Sequence, residues 1–213
     1  MDVRDFVKEN KDIYLPKTSP VIVDVPEMVF LMIDGAGAPD PDEGSSGHKN
    51  EFQAAMGALY GLVYSVKMSP KKNAAPKAFY NFKVAPPEGL WWMKSGKAFD
   101  MRKRNEWRWT LMIRVPEFVT QKIVYGYVNE LVAKKKNEVY RKVRLEKFRE
   151  GLSVQLMHIG SYASEGPNIE RMHVFAKEQG YKLTGKHHEI YFGDPRRSAP
   201  EKLKTVLRQP VAK

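Results

Sequence analysis

The chain has 213 residues and a mass of 24.5 kDa, which suffices for one large domain or two small fused modules. It carries a formal net charge of +11 and contains no cysteine, which excludes a disulfide framework, a thiolate nucleophile and a cysteine-based zinc site. It also has no long uncharged apolar run and no apolar N-terminal stretch. We therefore expect a soluble, cytoplasmic protein with no membrane partner.

An internal repeat organises the chain. Residues 29–35 and 154–160 both read Val-x-Leu-Met-x-x-Gly. Each copy is followed by a stretch with helical spacing of apolar residues, at 52–66 and at 169–179. The second predicted helix ends at Gly180, a residue suited to a helix C-cap.

Two strands follow each predicted helix. An acidic residue heads an aromatic strand at 88–92 and again at 189–192, and closing strands follow at 107–116 and 204–211. Proline marks the exit of both closing strands. The order strand, helix, strand, strand therefore occurs twice, which predicts an α+β fold with two tandem modules and an antiparallel sheet.

Two further segments flank these modules. Proline punctuates residues 11–26, which predicts extended chain rather than helix. Residues 117–150 predict one or two helices with one apolar face and a Lys-rich end. We place the first module at about 27–116, the helical connector at 117–150 and the second module at about 151–211, within a single domain of residues 1–213.

The positive charge is densest at residues 134–149. Three glutamates, Glu138, Glu146 and Glu150, lie in or directly after this stretch, so we interpret it as a solvated helix and connector. No zinc-finger spacing, RNP-type sequence or convincing helix-turn-helix accompanies it. We therefore expect no direct contact with nucleic acid.

Sequence motifs for nucleotide or acyl-transfer chemistry are missing, because the chain has no glycine-rich phosphate loop and no Gly-x-Ser-x-Gly elbow. The run His187-His188-Glu189 contains metal-ligating residue types. However, neighbouring residues on a strand point to opposite faces and do not readily share one ion. We expect hydrogen-bonded histidines here, and neither a metal nor a cofactor.

Carboxylates among aromatic residues form the strongest local pattern. Glu189 shares a strand face with Tyr191, and Glu88 shares one with Trp92. If these faces meet between the two modules, they form a concave aromatic cavity that suits a planar or cationic ligand. In the alternative interpretation, the tryptophans belong to the core and the glutamates are exposed charges at strand ends.

The chain resembles the GyrI-like small-molecule-binding proteins, and in particular their stand-alone subgroup, over nearly its whole length. The matching blocks include residues 88–92 (Glu-Gly-Leu-Trp-Trp), 107–113 (Trp-Arg-Trp-Thr-Leu-Met-Ile) and 185–191 (Gly-Lys-His-His-Glu-Ile-Tyr). The resemblance implies two strand-helix-strand-strand modules of the SHS2 type, related by a pseudo-twofold axis, with a ligand cleft between them.

The resemblance also implies a function. Relatives bind drugs and effectors through a buried glutamate amid aromatic rings. Glu189 matches that position best, and Glu88 is its mate in the repeat. A subgroup of the family, the cyclopropanoid cyclopropyl hydrolases, opens the cyclopropane ring of DNA-alkylating natural products and thereby protects the cell. The implied catalytic residues are Glu189 and Glu88, and the implied ligand-binding residues are Trp91, Trp92, Trp107, Trp109, Tyr191, Tyr60 and Phe175. A non-catalytic binding or sequestering protein, or a protein-interaction module, is the alternative.

Overall fold

The structure is a computed structural model that describes residues 3–39, 51–96, 103–193 and 197–213. Its described residues form an α+β fold with five α-helices and seven strands, and every strand pairing specified below is antiparallel. The helices are α1 (Phe6–Glu9), α2 (Lys11–Tyr14), α3 (Glu51–Lys67), α4 (Gln121–Lys135) and α5 (Gly166–Glu178). The strands are β1 (Val21–Ala36), β2 (Pro87–Met93), β3 (Trp107–Arg114), β4 (Arg144–Ile159), β5 (Lys182–Leu183), β6 (His187–Phe192) and β7 (Lys204–Ala212). No helix among these described residues is long and apolar enough to cross a bilayer.

The chain divides into two compact units. The first takes the described residues of Met1–Asp5, Val29–Ala85 and Trp91–Lys147, and the second takes those of Phe6–Met28, Pro86–Leu90 and Phe148–Lys213. Strands β1, β2 and β4 therefore each contribute residues to both units.

In the first unit, β1 pairs with β3, from Phe30 opposite Arg114 to Ala36 opposite Arg108. Helix α3 packs against β3 and α4 and buries the apolar stripe that its spacing predicts. Helix α4 is capped by Thr120, whose hydroxyl accepts a hydrogen bond from the backbone N–H of Ile123 at 3.4 Å. The buried residues of α3 are Phe52, Ala55, Ala58, Leu59, Leu62, Val63 and Val66.

In the second unit, β7 pairs with β4, β5 and β6. Rows of paired residues cross these strands, so that Leu156, Leu207 and Glu189 lie side by side on one face. Helix α5 covers part of this face. The core between them consists of Val154, Leu156, Met172, Ala176, Leu207 and Val211. The other face carries the row Gln155, Arg208 and His188.

Both long predicted helices are confirmed, as are the strands that follow them. Gly180 has a φ of +76° and its N–H donates to the carbonyl of Lys177, as expected of a residue just past a helix end. Two local predictions are wrong. Lys11–Tyr14 is a short helix rather than extended chain, because the prolines lie outside those four residues. Strand β4 begins at Arg144, so the last residues assigned to the helical connector are extended.

Candidate functional site

Glu189 lies on β6, on the face that α5 partly covers. Its side chain is 16% exposed, and Tyr191 donates a hydrogen bond from its hydroxyl to Glu189 Oε2 at 2.7 Å. Tyr191 in turn meets Tyr162 edge to face, with ring centroids 5.7 Å apart. The imidazole Nε2 of His187 is 3.3 Å from Glu189 Oε1. The side chains of His187 and Tyr191, on the same face of β6, thus flank the mostly buried carboxylate of Glu189.

A second carboxyl group, Glu165, belongs to the same face. Glu165 immediately precedes α5 and is 5% exposed. Burial raises its pKa, the negative charge of Glu189 raises it further, and a side-chain hydrogen bond with Thr205 lowers it, so that the pKa is about 9. At neutral pH, Glu165 therefore carries a proton. The sequence analysis did not single out Glu165, because a glutamate before Gly-Pro is typical of a polar loop.

The opposite face of β6 carries a buried network of charges. The imidazole Nε2 of His188 lies 3.0 Å from Glu88, and its Nδ1 lies 2.9 Å from Glu150. Arg208 donates from Nη1 to Glu150 at 2.9 Å, and Tyr14 donates from its hydroxyl to Glu88 at 3.2 Å. The side chains of all four charged residues are no more than 1% exposed.

Charge neutrality makes this burial tolerable, since two carboxylates face an imidazolium and a guanidinium. Burial by itself disfavours the imidazolium, but the charge of Glu150 and the hydrogen bonds with Glu150 and Glu88 raise the pKa of His188 to about 8. Burial would likewise raise the pKa of Glu150, but the positive charges of His188 and Arg208 lower it to about 2. Glu150 and His188 are therefore both charged at neutral pH.

The two predicted catalytic carboxylates lie in different surroundings. Glu88 contacts His188, whose side chain is on the face of β6 opposite that of Glu189. Glu88 is fully buried, whereas Glu189 is partly exposed. The structure therefore does not bring the two carboxylates together on one face of β6.

The predicted ligand-binding tryptophans lie in the first unit, and most of them are core residues. Trp109 is fully buried, and its ring lies so close to Gly35 that an added Cβ would come within 2.1 Å of it. Phe52 stacks on Trp91 with centroids 5.8 Å apart and meets Trp109 edge to face at 5.4 Å. Trp107 meets Trp91 edge to face at 6.1 Å. The alternative interpretation predicted core tryptophans, and Trp91, Trp107 and Trp109 are buried. It also predicted exposed glutamates, whereas Glu88 is fully buried and Glu189 is only 16% exposed.

The other predicted ligand-binding residues are less enclosed. Trp92 and Tyr60 are half-buried, and Tyr60 stacks on Tyr64 with centroids 6.3 Å apart. In the second unit, Phe175 packs against the core under α5, and Tyr191 binds Glu189 as described above. A cavity of about 360 Å³ in the second unit is lined by none of these residues but by Leu90, Phe148, Arg149, Glu150, Thr184, Gly185, Lys186 and Pro210.

The model of the GyrI-like small-molecule-binding domain matches residues 18–212 of the chain. The protein is a member of the GyrI-like family. This match confirms the family that the sequence blocks indicated, and with it a small molecule as the partner of the domain. No functionally curated protein matches the chain.

Solved structures from Listeria innocua resemble this GyrI-like protein over its whole length. One, described as a hydrolase, is 38% identical, with 98% of this chain and 100% of that chain covered and a TM-score of 0.85. Another, described as an uncharacterized conserved protein, is 40% identical, with the same coverage and a TM-score of 0.89. The C-terminal domain of EcmrR is 13% identical over 92% of this chain and 98% of that chain, with a TM-score of 0.57. It shares the fold.

Proposed function

We propose that this GyrI-like protein binds planar or cationic small molecules at Glu189 and hydrolyses the cyclopropane ring of DNA-alkylating natural products, which protects the cell. The observation that carries the proposal is the mostly buried carboxylate of Glu189, which accepts a hydrogen bond from the hydroxyl of Tyr191 at 2.7 Å. The family match supports ligand binding, and the description of a 38% identical relative as a hydrolase supports turnover. A cytoplasmic location stays a prediction from the sequence.

Glu189 has the surroundings that a general base needs. Because its side chain is only 16% exposed, a bound ligand can exclude most of the remaining water while Tyr191 keeps the carboxylate in one orientation. Ring opening requires one water molecule to be aimed at a ring carbon and to lose a proton as it attacks. A positioned carboxylate performs both tasks. We expect Glu88, which is buried between Tyr14 and His188, to hold β6 in place instead.

Aromatic contact with a planar compound forms the second part of the proposal and concerns the first unit by itself. Trp92 and Tyr60 are half-buried rather than fully buried, so they are the better candidates there for stacking. Trp109 has no exposed surface and would have to move to meet a ligand.

The order of elements supports a further part, the two SHS2-type modules related by a pseudo-twofold axis. The chain runs β1, α3, β2, β3 and later β4, α5, β6, β7, with the two-residue β5 added before β6. Superposing the backbone of the second series on the first in an experimental structure tests this relation, and two unlike topologies would reject it.

Turnover is tested by incubating the protein with a planar, cyclopropane-bearing alkylator and separating the water adduct by chromatography. Glu189→Gln should lower ring opening in single-turnover experiments by about 10²–10⁴, the usual contribution of a positioned base, while changing affinity only a few-fold. Glu170→Gln alters an exposed glutamate on α5 and should retain full activity. Full activity in Glu189→Gln would remove Glu189 from the mechanism.

The same preparations distinguish an enzyme from a non-catalytic binding protein. Ligand-induced quenching of tryptophan fluorescence without any water adduct from the wild-type protein would identify a binding or sequestering protein. The absence of both quenching and product would reject both functions.

A further inference from the structure

We propose that the cavity of about 360 Å³ in the second unit is a second ligand site, and that it binds a small aromatic molecule with one carboxylate group. Its volume lies within the range of pockets that hold small molecules, about 300–1,000 Å³. The site is separate from Glu189 and prefers the opposite charge from the cationic compounds proposed there. The inference does not depend on the proposed function.

The cavity continues the face of the second unit that carries the buried network of charges. Side chains two residues apart on a strand share a face. Four residues that line the cavity are each two positions from a network residue: Leu90 from Glu88, Phe148 from Glu150, Lys186 from His188 and Pro210 from Arg208. His188 and Glu189 are consecutive residues of β6 and therefore point to opposite faces. Strand β6 thus separates the cavity from the carboxylate of Glu189.

The backbone at Gly151 sets the direction of Glu150. Glu150 and Gln155 are five residues apart on β4, so regular alternation would point them to opposite faces. Both nevertheless contact Arg208, at 2.9 Å each. Gly151 has a φ of +76°, which reverses the alternation as a β-bulge does. Phe148 and Glu150 are thereby turned toward the cavity.

The floor of the cavity offers no unbalanced negative charge. Glu150 lines it, and the Nδ1 of His188 and the Nη1 of Arg208 lie 2.9 Å each from the Glu150 carboxylate. All three side chains are at most 1% exposed. Because these two groups already neutralise Glu150, a cationic ligand would gain little from it.

Two further cations, Lys186 and Arg149, give the wall of the cavity its charge. Arg149 lies 3.4 Å from Asp24, and both of these side chains are more than half exposed, so water and Asp24 weaken its attraction for a ligand. Lys186 is half-buried and acts through less water. The wall therefore favours an anion, and Lys186 is its main partner.

The rest of the wall is apolar and determines the body of the ligand. Leu90, Phe148 and Pro210 line the cavity, and a flat ring placed among them buries apolar surface and contacts the ring of Phe148. A carboxylate on that ring accepts a charge-assisted hydrogen bond from the ammonium group of Lys186. An ammonium group in the same place would be repelled by Lys186.

Three probes that share one ring system test the charge preference: the anion naphthoate, the neutral naphthamide and the cation naphthylmethylammonium. In calorimetric titrations at pH 7, naphthoate should bind about tenfold more tightly than naphthamide, the effect of one charge-assisted hydrogen bond at a half-buried lysine. Naphthylmethylammonium should bind least tightly. Equal affinity for the three probes, or no binding of naphthoate, would overturn the proposal.

Substitution of Lys186 tests the source of the preference. Lys186→Gln should lose the tenfold preference for naphthoate and retain its affinity for naphthamide, whereas Lys186→Arg keeps the charge and should keep the preference. Lys182→Gln is the matched control, because Lys182 is an exposed lysine on β5 that does not line the cavity. Equal losses in the two glutamine variants would indicate general attraction to a basic protein and would overturn the site.

The position of the ligand is tested on the wild-type protein, without any substitution. Saturating naphthoate should slow the acetylation of Lys186 by acetic anhydride, measured by mass spectrometry of the digested protein, and should leave the acetylation of Lys182 unchanged. Binding of naphthoate without protection of Lys186, or with equal protection of both lysines, would overturn the proposal.

Discussion

Replacing Glu150 by glutamine removes the carboxylate that His188 and Arg208 share. Arg208 is completely buried, and its Nη1 is 2.9 Å from Glu150. The guanidinium cannot lose its proton, so the variant retains a buried charge without its partner. Breaking a buried ion pair in this way costs about 3–5 kcal/mol. We expect Glu150→Gln to lose that much free energy of unfolding at pH 6.

The cost should also depend on pH. The pKa of His188 rises from 6.5 to about 8 in the folded protein, and one pKa unit corresponds to about 1.4 kcal/mol. This shift adds about 2 kcal/mol of stability, which is fully present below pH 6.5 and lost as the pH rises through 8. Without Glu150, His188 retains only the carboxylate of Glu88. The cost of the substitution should therefore fall by up to about 2 kcal/mol between pH 6 and pH 9.

Urea unfolding followed by tryptophan fluorescence measures both values. Glu146→Gln is the matched control on the same strand, because Glu146 is 47% exposed in its ion pair with Arg144 at 2.7 Å. An exposed pair of this kind contributes less than about 1 kcal/mol. Equal losses in Glu146→Gln and Glu150→Gln, or a loss that does not change with pH, would refute the assignment of a charged buried network.

Three further substitutions probe the packing. Trp109→Ala should cost about 3–5 kcal/mol in free energy of unfolding because the ring is fully buried, and an unchanged urea midpoint would show that the ring is not core. Gly35→Ala should cost about 1–3 kcal/mol because the new methyl group meets that ring; the control Gly57→Ala, which has open space on α3, should gain about 0.5–1 kcal/mol, and equal melting temperatures would contradict the close approach. Tyr14→Phe should cost about 1–3 kcal/mol because it removes the buried hydroxyl that donates to Glu88, and a neutral result in urea unfolding would show that this bond contributes nothing.

The parts of this molecule that the sequence predicted are those set by near neighbours in the chain. The apolar stripe of α3 and the shared face of Glu189 and Tyr191 follow from periods of 3.6 and 2 residues, and both occur in the structure. Recognisable blocks of sequence likewise predicted the family.

The parts that the sequence did not predict depend on partners far along the chain. The residues around Glu150 have the composition of a solvated connector. Its burial follows only from His188 and Arg208, which lie 38 and 58 residues later in the chain. Trp109 has the spacing of a ligand-facing residue. It is a core residue because Gly35, its partner on the neighbouring strand β1, leaves room for its ring. The raised pKa of Glu165 likewise follows from its burial and from the charge of Glu189, which belongs to another element.

One bond of the buried network has a consequence for biosynthesis. Arg208 donates from Nη2 to the backbone carbonyl of Ile13 at 2.7 Å, across 195 residues. The N-terminal segment of the second unit therefore cannot gain this bond until β7 has left the ribosome. Contacts of such separation slow folding, because a long loop must close before they form. Until β7 has emerged, the carbonyl of Ile13 must find another partner or remain in water, and the second unit stays open to other contacts.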